Sequence, residues 1–540
     1  MRAWVAAGLL LIASQVAIPA GAAGRPTCFG KRATIVGTRG HDELRGTRRA
    51  DVIVARGGRD TVIGRGGDDR ICLGAGIDFA FAGPGDDRVA GERGVVDFIE
   101  GGPGDDLIDG GPGVADHTLY ERTSSRIVAN LQTQRVTGQG NDRLRSIEGV
   151  HTGSGDDLLI GTEDFDDLTA NAGNDVIQAF GGDDYTFGGT GDDSTEAGGG
   201  FDNVDYSFGE PDTGVEASLV TGTSTGQGND TFSDAEMLVG TQHDDVLEGD
   251  EEPNLLISLD GNDTISGLGG DDEIGPGGGD DLIDGGADLD FYCTFCDDDP
   301  PDGITIDLAA GTATEAEGTD TLMNMSGAGG SDGNDTMTGN SETNVLVSFA
   351  GDDVIDTAGG DDLADGGDGL DEVGGGAGTD YLGHLDHSTP VTVDMAAGTT
   401  EGDGSITDSD TFTGFEDVLG SFFDDVIRGD DDTNAIRGES GDDRIEGRGG
   451  DDILIGACAL VEGHFFLEPP CEDDGSDTLD GGTGTDRCLE GESNTSCELT
   501  TLMRAQARRS ALMDAYAVGR YRPATSMWLP LRIVVEGRYR

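Results

Sequence analysis

The sequence predicts an all-β repeat protein, a solenoid of short strands joined by glycine-rich turns. Three observations carry this: acids recur every nine positions, an apolar residue follows each acid by two, and 95 of the 540 residues are Gly. Glycine at that density excludes helix, because each one costs about 1 kcal/mol against Ala in a helix interior. Aromatic residues make up only 5% of the chain, so any core is thin and repetitive.

In chain order, residues 1–23 read as a secretory signal peptide. Arg2 gives a positive start, an apolar run spans Trp4 to Val16, and Ala20-Gly21-Ala22 is a small-residue cleavage site. The run is short for a bilayer, and no second stretch could span one. The expectation is an exported protein, secreted and extracellular, soluble or loosely associated with the cell surface.

A first repeat block covers 24–116. Its rungs are Asp42, Asp51, Asp60, Asp69, Asp78 and Asp87, followed by Asp97, Asp106 and Asp116 at spacings of ten, nine and ten. The next ladder is Asp157, Asp166, Asp175, Asp184, Asp193 and Asp202. A third is Asp245, Asn254, Asp263, Asp272, Asp281 and Asp290, and a fourth Asp335, Asn344, Asp353, Asp362, Asp371 and Asp380. The fifth runs Asp425, Asn434, Asp443 and Asp452, then Asp477 and Asp486 beyond an insertion at 457–475. Asn keeps a side-chain oxygen but loses the charge. The four later ladder starts recur at 88, 90 and 90 residues, which divides the chain into units 117–204, 205–292, 293–382 and 383–499. The Arg-rich tail, 500–540, reads as a cap, a clasp on the acidic repeats or a disordered end.

Each rung opens a three-residue strand whose middle side chain points inward, as at Leu44, Ile53, Val62, Ile71, Ala80 and Val89. Glycine precedes it where the turn needs positive φ. Between ladders lie four related segments, 127–144, 215–232, 304–322 and 391–412, each with alternating apolar residues, a Thr/Gly turn and a second apolar pair. They are expected to continue the solenoid with plain strands or to form small β lobes.

The charge is the second message. With 108 acids against 32 bases the formal net charge is -76, and residues 146–427 hold no Lys or Arg. Nucleic acid is excluded as a partner there, because phosphate contacts need Lys or Arg. Stretches such as GGPGDDLIDGGPG (101–113) set carboxylates side by side in glycine turns. Such a chain is either disordered or neutralised by a bound cation. Ca²⁺ fits, being a hard ion that takes six to eight carbonyl and carboxylate oxygens.

The nonapeptides, clearest in Gly101-Gly102-Pro103-Gly104-Asp105-Asp106-Leu107-Ile108-Asp109 and Gly188-Gly189-Thr190-Gly191-Asp192-Asp193, resemble the RTX or haemolysin-type calcium-binding repeat. The resemblance implies a right-handed parallel β-roll with two nonapeptides per coil. It also implies multiple Ca²⁺ ions between consecutive turns, held by turn carbonyls and the sixth-position Asp, which is the ladder aspartate throughout. The preceding acid, such as Asp105 or Asp192, is expected to face solvent and add only to the local field.

Eight Cys in an exported chain suggest disulfides. Proximity favours Cys458–Cys471 and Cys488–Cys497, while Cys293-Thr-Phe-Cys296 reads as a tight pair or, less well, a redox motif. No zinc-protease motif, nucleophile elbow or P-loop occurs. His384-Leu-Asp-His387 reads as two exposed strand-end residues rather than a metal site. The insertion 457–475, with Glu462, His464 and Phe465-Phe466, is the least repetitive piece and a candidate partner site. The expectation is a secreted calcium-binding β-solenoid that is not an enzyme, with a structural, surface or adhesive role and a cell-surface or matrix polysaccharide as a partner class. The alternative is a noncatalytic relative of secreted polysaccharide-acting enzymes, since similar modules accompany alginate epimerases.

Overall fold

The computed structural model describes residues 25–456 and 477–495, apart from 114, 209–212, 295, 297–302, 317, 386, 403–408, 483–486 and 490–492. The signal-peptide reading, the insertion at 457–475 and the Arg-rich tail lie outside the described residues. Two compact units are present: residues up to Leu119 with Gln134–Glu148, and Tyr120–Thr133 with Gly149 onward. Among the described residues every regular element is a strand.

In the first unit, Ile35–Val36, Val52–Gly57, Arg70–Ala75, Arg88–Glu92, Leu107–Asp109 and Asn141–Arg145 lie side by side in one parallel sheet. Arg135–Thr137 is antiparallel to the last of them. A second parallel sheet holds Glu43–Arg45, Thr61–Ile63, Ile77–Phe81, Val96–Glu100 and His117–Leu119. Successive nonapeptides alternate between the sheets, so strand partners stand two nonapeptides apart, as in Ile53 with Ile71 and Val62 with Ala80. This is the parallel β-roll that the resemblance implies. The inward residues Ile53, Ile71, Val89 and Ile108 on one sheet and Val62, Ala80 and Ile99 on the other are all fully buried.

The second unit repeats the plan. Ile265 pairs with Ile283 in one sheet and Leu256 with Ile274 in the other, and all four are buried in one continuous apolar column. Three of the inter-ladder segments depart from it. Glu216–Ser218, Thr223–Thr225 and Asn229–Ser233 form an antiparallel meander, in which the first strand pairs parallel with Val246–Glu248 and the last with Ser194–Gly199. Thr305–Asp307, Thr312–Thr314 and Thr319–Met323 do the same, as do Thr392–Asp394, Thr399–Glu401 and Ser409–Thr413. The segments therefore continue the sheet, as one reading of the sequence has it, but each inserts one reversed strand.

The turns are tight. Gly102 sits at φ +91, where a Cβ would come within 2.6 Å of the Gly83 carbonyl oxygen one coil earlier. At Gly102 a side chain could not stack so closely.

Cys28 is bonded to Cys72, a pairing that proximity did not suggest, 44 positions apart in the chain. The bond sits in a small apolar cluster with Ala33 and Val54. Cys293 and Cys296 form the tight pair. Cys488 is buried, lies in register with Leu454, and is disulfide-bonded. Its expected partner Cys497, like Cys458 and Cys471, lies outside the described residues. Loop-closure entropy over the Cys28–Cys72 span amounts to about 4 kcal/mol. A Cys28→Ala/Cys72→Ala variant should therefore unfold the first unit at markedly lower denaturant, measured in saturating Ca²⁺ with the strand signal as readout.

Candidate functional site

The ladder aspartates form a chain of hydrogen bonds along the stack. Each rung's backbone N–H donates to Oδ1 of the rung one coil later: Asp60 to Asp78 at 2.7 Å, Asp263 to Asp281 at 2.7 Å, Asp353 to Asp371 at 2.9 Å. The carboxylate is thereby held edge-on in the turn, buried under the next coil.

Its other oxygen is the telling one. In the first unit Oδ2 of Asp60, Asp69, Asp78, Asp87, Asp97, Asp106 and Asp116 accepts no hydrogen bond. The same holds in the second unit for Asp157, Asp175, Asp184, Asp193, Asp202, Asp263, Asp272, Asp281, Asp290, Asp353, Asp362, Asp371, Asp380 and Asp443. A buried carboxylate oxygen without a donor costs several kcal/mol unless a cation meets it. The surroundings supply further oxygen. At Gly64 a Cβ would stand 2.6 Å from Asp69 Oδ2 and also against the carbonyl oxygen of Ala82 in the next turn. Carboxylate and carbonyl oxygens thus converge on the space that Gly64 leaves open. This donor set, all oxygen and anionic, fits Ca²⁺.

The electrostatics agree. Burial, with neighbouring acids adding to it, lifts the carboxyls of Asp69 to about 6, Asp97, Asp106, Asp184 and Asp272 to about 8, and Asp371 to about 9. A carboxyl raised in the folded state stabilises the metal-free fold fully below its ordinary value near 3.9 and loses that contribution as pH rises through the raised value. Protons and calcium should therefore compete. In chelator the chain is expected to show more strand signal at pH 4 than at pH 8.5, and calcium affinity should fall as pH drops from 8.5 to 5.5. Equal chelator spectra at both pH values would refute this.

A second kind of rung is fully served by the chain. At Asp42, Asp51, Asp166, Asp245, Asn254, Asp335, Asn344, Asp425 and Asn434 the residue four before is Thr, Ser, Asp or Asn, and its backbone N–H donates to the ladder side chain. Ser331 does so to Asp335 at 2.7 Å and adds its hydroxyl at 2.9 Å. Where Oδ2 is bare, that position commonly turns to positive φ instead. Examples are Arg56 at 91°, Arg65 at 82°, Leu268 at 77° and Phe349 at 67°, four before Asp60, Asp69, Asp272 and Asp353. Asp477 accepts the Asp443 N–H at 3.0 Å, and Asp486 lies outside the described residues.

Sequence reading missed seven rungs. Asp142, Asp230, Asp320 and Asp410 accept the N–H of Asp106, Asp193, Asp281 and Asp371, and Glu148, Glu236 and Glu416 accept that of Asp116, Asp202 and Asp380. The signal was present at Gly138-Gln-Gly-Asn-Asp142 and Gly226-Gln-Gly-Asn-Asp230, which repeat the turn pattern out of register. The glutamates escaped a search for Asp. Some of these rungs also carry protein donors on Oδ2: the Ser224 hydroxyl on Asp230 and the Tyr292 hydroxyl on Asp320, both at 2.6 Å.

The acid before each rung is exposed at Asp105 and Asp192, as expected, but it is not idle. It accepts a backbone N–H from the next coil, as Asp105 does from Asn141 at 3.0 Å and Asp192 from Asn229 at 3.1 Å. The histidines need a correction. His384 and His387 are buried, not exposed strand ends. His384 bonds the Leu419 carbonyl and the Thr400 hydroxyl, both at 3.0 Å, and His387 lies 3.7 Å from the buried Asp365. The chain folds back over them, so each ring has polar partners inside.

Stacked 18-residue coils whose turns converge carboxylate and carbonyl oxygens define a calcium-binding β-roll. The RTX calcium-binding nonapeptide repeat (4 copies) matches residues 36–71, 73–95, 96–114, 151–177, 160–195, 239–274, 329–364, 348–382, 410–444, 428–457 and 473–488, more than half of the chain. The protein belongs to that family. A comparison with curated proteins finds no match. Among the described residues, no helix is long and apolar enough to cross a membrane.

Proposed function

We propose that this protein is exported and that multiple calcium ions, loaded outside the cell, fold it into a β-roll with a structural or adhesive role. The observation that carries the reading is the row of bare, buried Oδ2 atoms, which at Asp69, Asp97 and Asp272 share their cradle with a carbonyl oxygen of the neighbouring turn. Cytosolic free calcium is far below the affinity of extracellular calcium modules, about 10⁻⁴–10⁻³ M, so such an array loads on export. Most of the buried aspartates belong to the ladder, where a backbone N–H orients the carboxylate, as at Asp78 and Asp281. A noncatalytic role follows, with a surface or matrix polysaccharide as the partner class. The test incubates calcium-loaded protein with acidic and neutral polysaccharides. Retention on the polymer without release of shorter or unsaturated products supports the reading, and turnover overturns it.

A further inference from the structure

The two kinds of rung sort by residue type in a way the repeat pattern alone does not require. Asn occupies the ladder only at 254, 344 and 434, and each of these is a rung capped by the N–H four residues before it. No uncapped rung carries Asn; every one of them keeps a carboxylate. The amide is also complete in itself. Asn344 Nδ2 donates to the Ser326 carbonyl at 3.2 Å, and Asn434 Nδ2 to the Glu416 carbonyl at 2.9 Å. The amide donor thus satisfies a carbonyl of the coil before.

We propose that the capped rungs take no calcium, and that in the second unit the closed pairs part the array into separately loading groups of calcium sites, at the bare rungs within 157–202 (Asp166 being closed), within 263–290, within 353–380 and from 443. This rests on the calcium reading above. An ion at Asp335 would have to displace the Ser331 N–H, whose positive end points where the ion would sit. The residue four before the rung decides the outcome. In the left-handed region it leaves the carboxylate bare. As Ser, Thr, Asp or Asn in an ordinary conformation it closes the rung with its own N–H, as at a helix N-cap. Each of the last three ladders opens with two such closed rungs, one in each sheet. Binding at Asp263 should therefore assist binding at Asp281 in the same turn stack, but not at Asp353 across the closed pair Asp335 and Asn344.

The test counts calcium ions per full-length chain by equilibrium dialysis at saturating Ca²⁺, for the parent, Asp335→Asn, Asp245→Asn and Asp353→Asn. The first two copy a residue the chain already accepts at closed rungs, so folding should survive, as a parent-like strand signal would report. The expected result is an unchanged count for Asp335→Asn and Asp245→Asn and a loss of at least one ion for Asp353→Asn. Loss of ions in both closed-rung variants, equal to that in Asp353→Asn, overturns the proposal. A parent that binds no calcium shows instead that the underlying calcium reading has failed.

Discussion

Chelation at neutral pH should abolish most of the strand signal, and millimolar Ca²⁺ should restore it. The expectation follows from unpaired burial. Asp97 and Asp106 in the first unit and Asp184 and Asp272 in the second are held up to about 8 by burial, which is the cost of keeping an anion there. For the latter two, no Lys or Arg between residues 146 and 427 can relieve it. Folding free energies are only about 5–15 kcal/mol, and several buried anions without counterions exceed that reserve. When an ion supplies the charge, its binding energy becomes folding energy. Circular dichroism during a calcium titration measures the transition. A neutral-pH spectrum that chelator leaves unchanged would falsify the account.

Within one turn, two adjacent acids should behave differently. Asp272→Ala is expected to raise the calcium midpoint for folding at least fivefold, and Asp271→Ala by no more than about twofold. Asp272 is fully buried, accepts the Asn254 N–H at 2.9 Å and leaves Oδ2 bare. Its removal strands a buried N–H, worth about 1–3 kcal/mol, and deletes an anionic ligand; each 1.4 kcal/mol is about tenfold in an equilibrium constant. Asp271 is half-exposed and contributes one hydrogen bond, from the Leu289 N–H at 3.0 Å. Surface losses of that kind stay within about 0.5 kcal/mol. Equal midpoints would mean that the ligand belongs to the other acid.

The contrast between these residues was legible in the sequence because it is local. The nine-residue spacing writes strand, turn and inward side chain into each repeat, and Ile53, Val62 and Ile71 are buried where the spacing puts them. What the sequence hid is whatever depends on partners far along the chain. Cys28 finds Cys72 across four rungs because the coils bring them together. Asp230 reaches the ladder only after a meander carries it back beside Asp193. His384 and His387 look exposed beside acids and prolines, yet the fold closes over them. The split between bare and closed rungs was only half visible in residue type: Thr, Ser, Asp or Asn stands four before each closed rung, but Arg56, Leu268 and Phe349 as well as glycines stand there before bare ones. It becomes legible only when the direction of a single N–H is known.

The meander at 216–233 has a mechanical meaning. The chain lays Glu216–Ser218 ahead, against Val246–Glu248, returns through Thr223–Thr225, and only then places Asn229–Ser233 against the coil it had left. A tailor would call this a backstitch. A plain running stitch unravels one loop at a time once an end is pulled, but a backstitched thread locks wherever it doubles over itself. Tension travelling along this protein would thus meet three such knots in the second unit, at 216–233, 305–323 and 392–413, each requiring three strands to part together. Tearing would then stop at the next knot, and the slack could be wound back.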